Sequence, residues 1–135
     1  MATARQHLTD LTQRFMTAFN DNDLEGVMAF FADDAVYDEF NGTRNHGRDA
    51  IRAAFLPQFS GRYGTMQFLD DDLFIDADTG KVMASWRCTL AVKDQPTSWR
   101  GLDLLHFQGD RLVRKLTYAK AKVPLFEDRA ADTDP

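Results

Sequence analysis

The sequence predicts a single α+β domain: a cone-shaped, curved antiparallel sheet with three N-terminal helices that enclose an apolar pocket. Three observations predict it. Apolar residues recur at helical spacing through the first part of the chain. After Gly61 and Gly64 the period changes to two. Short turn signals then divide the remainder into four strands. Helices gathered ahead of an antiparallel sheet settle on one of its faces.

Leu8, Leu11, Phe15, Ala18 and Phe19 form the apolar stripe of the first helix, and Thr3 with Gln6 spells a capping box at its start. Asn20, Asp21 and Asn22 interrupt the pattern. Asp21 or Asn22 caps a second helix that carries Leu24, Val27, Met28 and Phe31 on one face and ends at Asp33 and Asp34. A short strand over 35–40 puts Tyr37 and Glu39 on one side and Val36, Asp38 and Phe40 on the other. Asn41 and Gly42 turn the chain into a third helix over 47–59, with Ile51, Ala54 and Phe55 inward and Pro57 near its end.

The strands follow. The first of them, 66–76, has acidic residues at Asp70, Asp71 and Asp72 that suggest a bulge, and Asp78, Thr79 and Gly80 make a hairpin turn. A long strand over 82–92 leads through a loop, 93–96, to a strand over 97–107. Gln108, Gly109 and Asp110 turn into the last strand, 112–121. Residues 1–121 thus read as one domain. Residues 122–135 read as a tail, small and acidic at its end and expected to be partly disordered.

Composition excludes several functions. The chain has 135 residues and a net charge of -5, without a basic cluster dense enough for a phosphate backbone, so nucleic acid is not an expected partner. The one cysteine, Cys88, allows no internal disulfide and fits a reducing compartment. No uncharged apolar run approaches the roughly 20 residues of a membrane span, and no apolar run precedes the first charges, so a cytoplasmic protein is expected. The three histidines and Cys88 lack zinc-ligand spacing, and Asp70, Asp71 and Asp72 lack the spacing of a calcium loop. No phosphate-binding glycine loop and no G-x-S-x-G is present. Neither a metal nor a cofactor is expected.

Strand parity picks out the candidate site. If Asp103 faces the pocket, so do Trp99, Gly101, Leu105 and Phe107, and the neighbouring strand turns Trp86, Cys88 and Leu90 inward. A carboxyl among such residues is expensive to ionise, so it either keeps its proton or stands beside a cation. Lys115 is the candidate cation. It shares an inward set with Val113, Thr117 and Ala119 in one register and faces solvent in the register shifted by one. Each candidate also has a structural reading. Asp103 can satisfy backbone groups, Glu39 can end a strand in solvent, Tyr37 can line a wall, and His46 can brace the third helix. Trp86 and Trp99 can serve as packing. His7, His106, Arg48 and Arg87 read as surface or interface residues.

Residues 11–39, LTQRFMTAFNDNDLEGVMAFFADDAVYDE, together with His46-Gly47-Arg48-Asp49-Ala50-Ile51 and Arg100-Gly101-Leu102-Asp103 followed by Phe107, resemble the nuclear transport factor 2-like superfamily, in its SnoaL-like and ketosteroid-isomerase-like branch. The resemblance spans about residues 8 to 121. It implies the cone fold and a sheet-to-sheet homodimer, and it leaves the reaction open, because fold does not set function. In isomerase relatives one carboxylate moves a proton while a tyrosine and a protonated aspartic acid stabilise an oxyanion. By resemblance the aspartic acid falls on Asp103, the base on Glu39 and the tyrosine on Phe15, which has no hydroxyl. Steroid isomerisation is therefore not expected.

The expected function is acid/base chemistry on a small, mostly apolar molecule with a carbonyl, epoxide or enolisable carbon. Asp103 would lead, Glu39 or Tyr37 assist, and Lys115 tune Asp103. Phe15, Phe19, His46, Phe55, Trp86, Cys88, Trp99 and Leu105 would bind the substrate. The alternative is a non-catalytic ligand-binding or assembly module of the same fold. Either way Leu102, Leu104, Leu116 and Tyr118 on the outer sheet face predict a homodimer.

Overall fold

A computed structural model describes residues 2–124 and 126. The disorder expected of the tail falls on positions 125 and 127–135, outside the described residues. Helix α1 (Ala4–Asn20) begins with the expected capping box: Thr3 accepts from the Gln6 backbone N–H while the Gln6 side chain accepts from that of Thr3. Its inward stripe includes Leu8, Leu11, Phe15 and Phe19. Asn22 takes a positive φ of 55°, so the chain enters α2 (Leu24–Met28) late, and the cap is Asp23 rather than Asp21 or Asn22.

Helix α2 is one turn shorter than its apolar spacing implies, and Phe31 opens strand β1 (Phe31–Asp38) instead of closing the helix. Tertiary pairing overrides the helical pattern here, because β1 runs alongside the last strand with Phe31 opposite Leu112. Phe31 is fully buried. A three-residue strand unmarked by sequence, β2 (Arg44–His46), folds back on β1 before α3 (Arg48–Phe59). It is polar and largely exposed, which is why apolar alternation misses it.

The meander comprises β3 (Gln67–Asp76), β4 (Lys81–Val92), β5 (Gln95–Gln108) and β6 (Arg111–Lys120), and the sheet order is β2-β1-β6-β5-β4-β3. The sheet is curved and unclosed, with α1, α2 and α3 completing a cone. It is not wholly antiparallel: β1 pairs with β6 in parallel. The register of β3 shifts between Asp70 and Leu73, at the acidic bulge. The expected loop over 93–96 is a two-residue turn, with Lys93 and Asp94 at φ 50° and 64°, and Gln95 and Pro96 already belong to β5. Paired left-handed residues match the twist of a tight hairpin without needing glycine.

Asn20 ties the helical layer to the sheet. Its side chain donates to the Phe68 carbonyl at 3.0 Å and accepts from the Phe68 N–H at 2.7 Å, acting as a short extra rung on the edge strand β3. Phe15, Phe19, Phe31 and Phe55 pack on one another in the core with mostly edge-to-face contacts. Beside them lies a cavity of about 450 Å³, with Phe19 on its wall. Among the described residues no helix is long and apolar enough to cross a membrane.

Candidate active site

Asp103 sits in the middle of β5, opposite Ala84 on β4 and Thr117 on β6. It is 2% exposed and belongs to the cavity wall. Its carboxylate accepts three hydrogen bonds. Lys115 Nζ donates to Oδ1 at 2.9 Å, Thr117 Oγ1 donates to the same oxygen at 2.6 Å, and Trp86 Nε1 donates to Oδ2 at 3.0 Å. One of these three donors is the Lys115 ammonium, so of the two expected alternatives the structure has the cationic partner.

Lys115 points inward, and a bulge makes it do so. The β5–β6 register shifts at His106 and Phe107, and Val113 falls in the extra position, so that Leu112 and Lys115 both face the interior. The expected inward residue Val113 is thereby replaced by Leu112. Lys115 Nζ also donates to Thr117 Oγ1 at 2.8 Å and lies 4.6 Å from the centre of the Tyr37 ring. Burial works against its charge, but the Asp103 carboxylate prevails and holds its proton above the ordinary value of 10.5. Tyr37 stands beside it on β1, and burial raises its phenol above 10.0, keeping the hydroxyl protonated.

Glu39 lies just beyond β1 on the cavity wall, where Asn45 Nδ2 donates to its Oε2 at 3.1 Å. Its charge is close enough to act on both Tyr37 and Lys115. Asp103, Lys115, Tyr37 and Glu39 are thus brought to one cavity, together with Phe19, Trp86 and Trp99. Four expected binding residues lie behind the wall instead. Phe15, Phe55, Cys88 and Leu105 are at most 1% exposed and belong to the core. Cys88 and Leu105 share the inward strand parity of the site residues, and Phe15 and Phe55 lie on inward helix faces, where Tyr37 stacks on Phe55 at 4.7 Å. His46 is exposed on β2, because its short strand lies at the outer edge of the sheet.

Thr117 and Phe40 are among the wall residues not expected from sequence. Thr117 was legible as an inward residue, two positions from Lys115, but not as a bridge within the ion pair. Phe40, expected on the face opposite Glu39, lines the cavity and rests on Trp99 at 5.2 Å, since β1 ends before it. Phe126 is 87% exposed and does not contribute to the cavity wall. Among the described residues no cluster of three or more histidine, cysteine, aspartate or glutamate side chains is placed to hold a metal ion.

Solved structures share this architecture. A candidate polyketide cyclase from Xanthomonas campestris pv. campestris superposes with a TM-score of 0.76 at 24% identity, over 86% of this chain and 92% of that one. A nuclear transport factor 2-like protein of unknown function from Mesorhizobium loti gives 0.74 at 19% identity, over 90% and 97%. An LEH-like epoxide hydrolase of M. tuberculosis gives 0.72 at 18% identity, over 84% and 83%. At these identities the likeness establishes the fold alone. The SnoaL-like domain profile matches residues 12–115, and on that match, within a nuclear transport factor 2-like cone, the chain belongs to the SnoaL-like family.

Proposed function

We propose that this chain is an enzyme that moves a proton on a small, mostly apolar substrate carrying a carbonyl, epoxide or enolisable carbon. One observation carries the reading: a lysine–aspartate ion pair lies on the wall of an otherwise largely aromatic and apolar cavity. Burying such a pair costs desolvation of both charges, and apolar residues of the same volume are often at least as stable. A ligand oxygen gives the charge a use. An ammonium has three N–H groups, and those of Lys115 serve Asp103 and Thr117, leaving one for an incoming oxygen.

In this reading the roles expected from sequence are redistributed. Lys115 stabilises the developing oxyanion, and Asp103 with Thr117 keeps the ammonium charged and aimed. Asp103 already accepts three hydrogen bonds, which makes it a poor base. Glu39 takes the proton from the substrate carbon, or from a water attacking an epoxide, and returns it later. Tyr37 supplies a neutral hydroxyl beside them. The cyclase-like and epoxide-hydrolase neighbours use the same cone, which supports the class by analogy only.

The test is a panel of enolisable ketones and epoxides, followed by NMR in D₂O for exchange at carbon and for diol formation. Lys115→Met should lower turnover on the order of a hundred- to thousand-fold, and Glu39→Gln by a similar factor. Folded variants that retain full rate would dismiss the mechanism. A binding module is the second reading, favoured by one observation: the Asp103 network is satisfied without a ligand. Tight binding of panel members with no turnover would select it.

A further inference from the structure

We propose that Trp86 is a positioning residue: its indole N–H sets the direction of the Asp103 carboxylate, and Gly101 is what allows the indole to lie there. The carboxylate is held from two strands. Both donors to Oδ1 come from β6, and the donor to Oδ2 comes from β4, on the other side of Asp103. Two donors on one oxygen leave rotation about the Cβ–Cγ bond loose, because that torsion is broad. The third donor, on the opposite oxygen, closes it. Lys115 takes its aim from Oδ1, so the same contact fixes the ammonium.

Gly101 is the cross-strand partner of Trp86 and lies two residues before Asp103, on the same face. A Cβ at this position would come within 2.6 Å of Trp86 Cη2 and 3.0 Å of Cζ3, and within 2.4 Å of the Tyr118 carbonyl. Glycine is needed here for space, with no turn involved. Phe68 and Trp99 hold the ring at 5.0 and 5.1 Å, so the indole has one seat. The Arg-Gly-Leu-Asp run therefore encodes both the carboxylate and the clearance for the group that aims it.

The effect on turnover rests on the catalytic reading above; the clamp itself does not, and one experiment separates them. The chain has two tryptophans, so a ¹⁵N-labelled sample shows two indole N–H signals, and Trp86→Phe assigns them. The Trp86 proton should exchange slowly with water, and the Lys115 ammonium signal should exchange faster in Trp86→Phe than in the native chain. Once far-UV circular dichroism shows that variant folded, its kcat should fall roughly ten- to a hundredfold, the worth of one hydrogen bond to a charged group, with KM unchanged. Gly101→Ala, which keeps the indole but moves it, should act in the same direction. A Trp86 proton that exchanges as fast as an exposed indole overturns the clamp, as does a Lys115 signal indifferent to Trp86→Phe. A variant with raised KM and intact kcat overturns the positioning role, since a simple wall residue behaves that way. If Lys115→Met turns substrate over at the native rate, the catalytic reading fails, while the exchange measurements still decide the clamp.

Discussion

Removing one partner of the buried ion pair should destabilise the fold far more than removing both. The side chains of Lys115 and Asp103 are 6% and 3% exposed and 2.9 Å apart. Lys115→Met keeps the length of the stem and leaves the Asp103 charge in an apolar wall with only Thr117 and Trp86 as partners. Breaking a buried pair in this way costs about 3–5 kcal/mol. Domains of this kind have roughly 5–15 kcal/mol in all, so the variant should melt on the order of 10–20 °C lower. The double variant Asp103→Leu/Lys115→Met replaces the pair by apolar groups and should recover most of the loss. Urea denaturation of the native chain, both single variants and the double variant measures this directly, with a constant m-value as the check on two-state behaviour. Singles that each cost under about 1 kcal/mol, or that add within about 0.5 kcal/mol in the double, would show that the pair is not coupled in this way. The pH dependence has a definite sign. The folded chain holds the Lys115 proton above the ordinary 10.5, so near and above that pH the unfolded chain binds fewer protons. Stability from this group is full below about 10.5 and is lost as pH rises through the folded value. Lys115→Met should lack that alkaline loss.

Burial pushes the Cys88 thiol up to about 11, so an alkylating reagent at pH 8 should label it slowly until the chain is unfolded; labelling of the native chain at the unfolded rate would contradict its placement. Gly80 has a φ of +73°, and a Cβ there would meet the Phe107 carbonyl at 2.5 Å. Gly80→Ala should cost about 2 kcal/mol or more in denaturant titration, from strain and steric contact together, and a loss below about 0.5 kcal/mol would refute that. Leu102 pairs with Tyr118 and Leu104 with Leu116 across the outer sheet face, and Tyr118 is 54% exposed. We propose that a second copy covers this face. Sedimentation at micromolar concentration should give twice 15.4 kDa, with Tyr118→Lys shifting the mass toward the monomer. A native monomer would remove the proposal.

The legible part of the fold lay in local chemistry. The Thr3–Gln6 box, the stripe from Leu8 to Phe19, the turn at Gly80 and the acidic bulge in β3 all stood in the sequence and all appear. Phe31 shows where such reading stops. Its spacing suits the face of a helix as well as the start of a strand, and both uses bury it. Polar, exposed β2 left no periodic trace at all.

The site divides along the same line. Alternation along a strand is local, so the sequence alone determined that Asp103 shares a face with Trp99, Gly101, Leu105 and Phe107, and that this face is apolar. How deep each residue lies on that face was not legible: Leu105 is sealed in the core while Trp99 reaches the cavity. That Lys115 faces Asp103 depends on pairing between strands. Leu112 and Lys115 stand three apart, which strict alternation places on opposite faces, and a bulge against β5 brings both inward. Register and bulges arise from pairing between distant segments, and a one-residue shift there reverses every side chain beyond it.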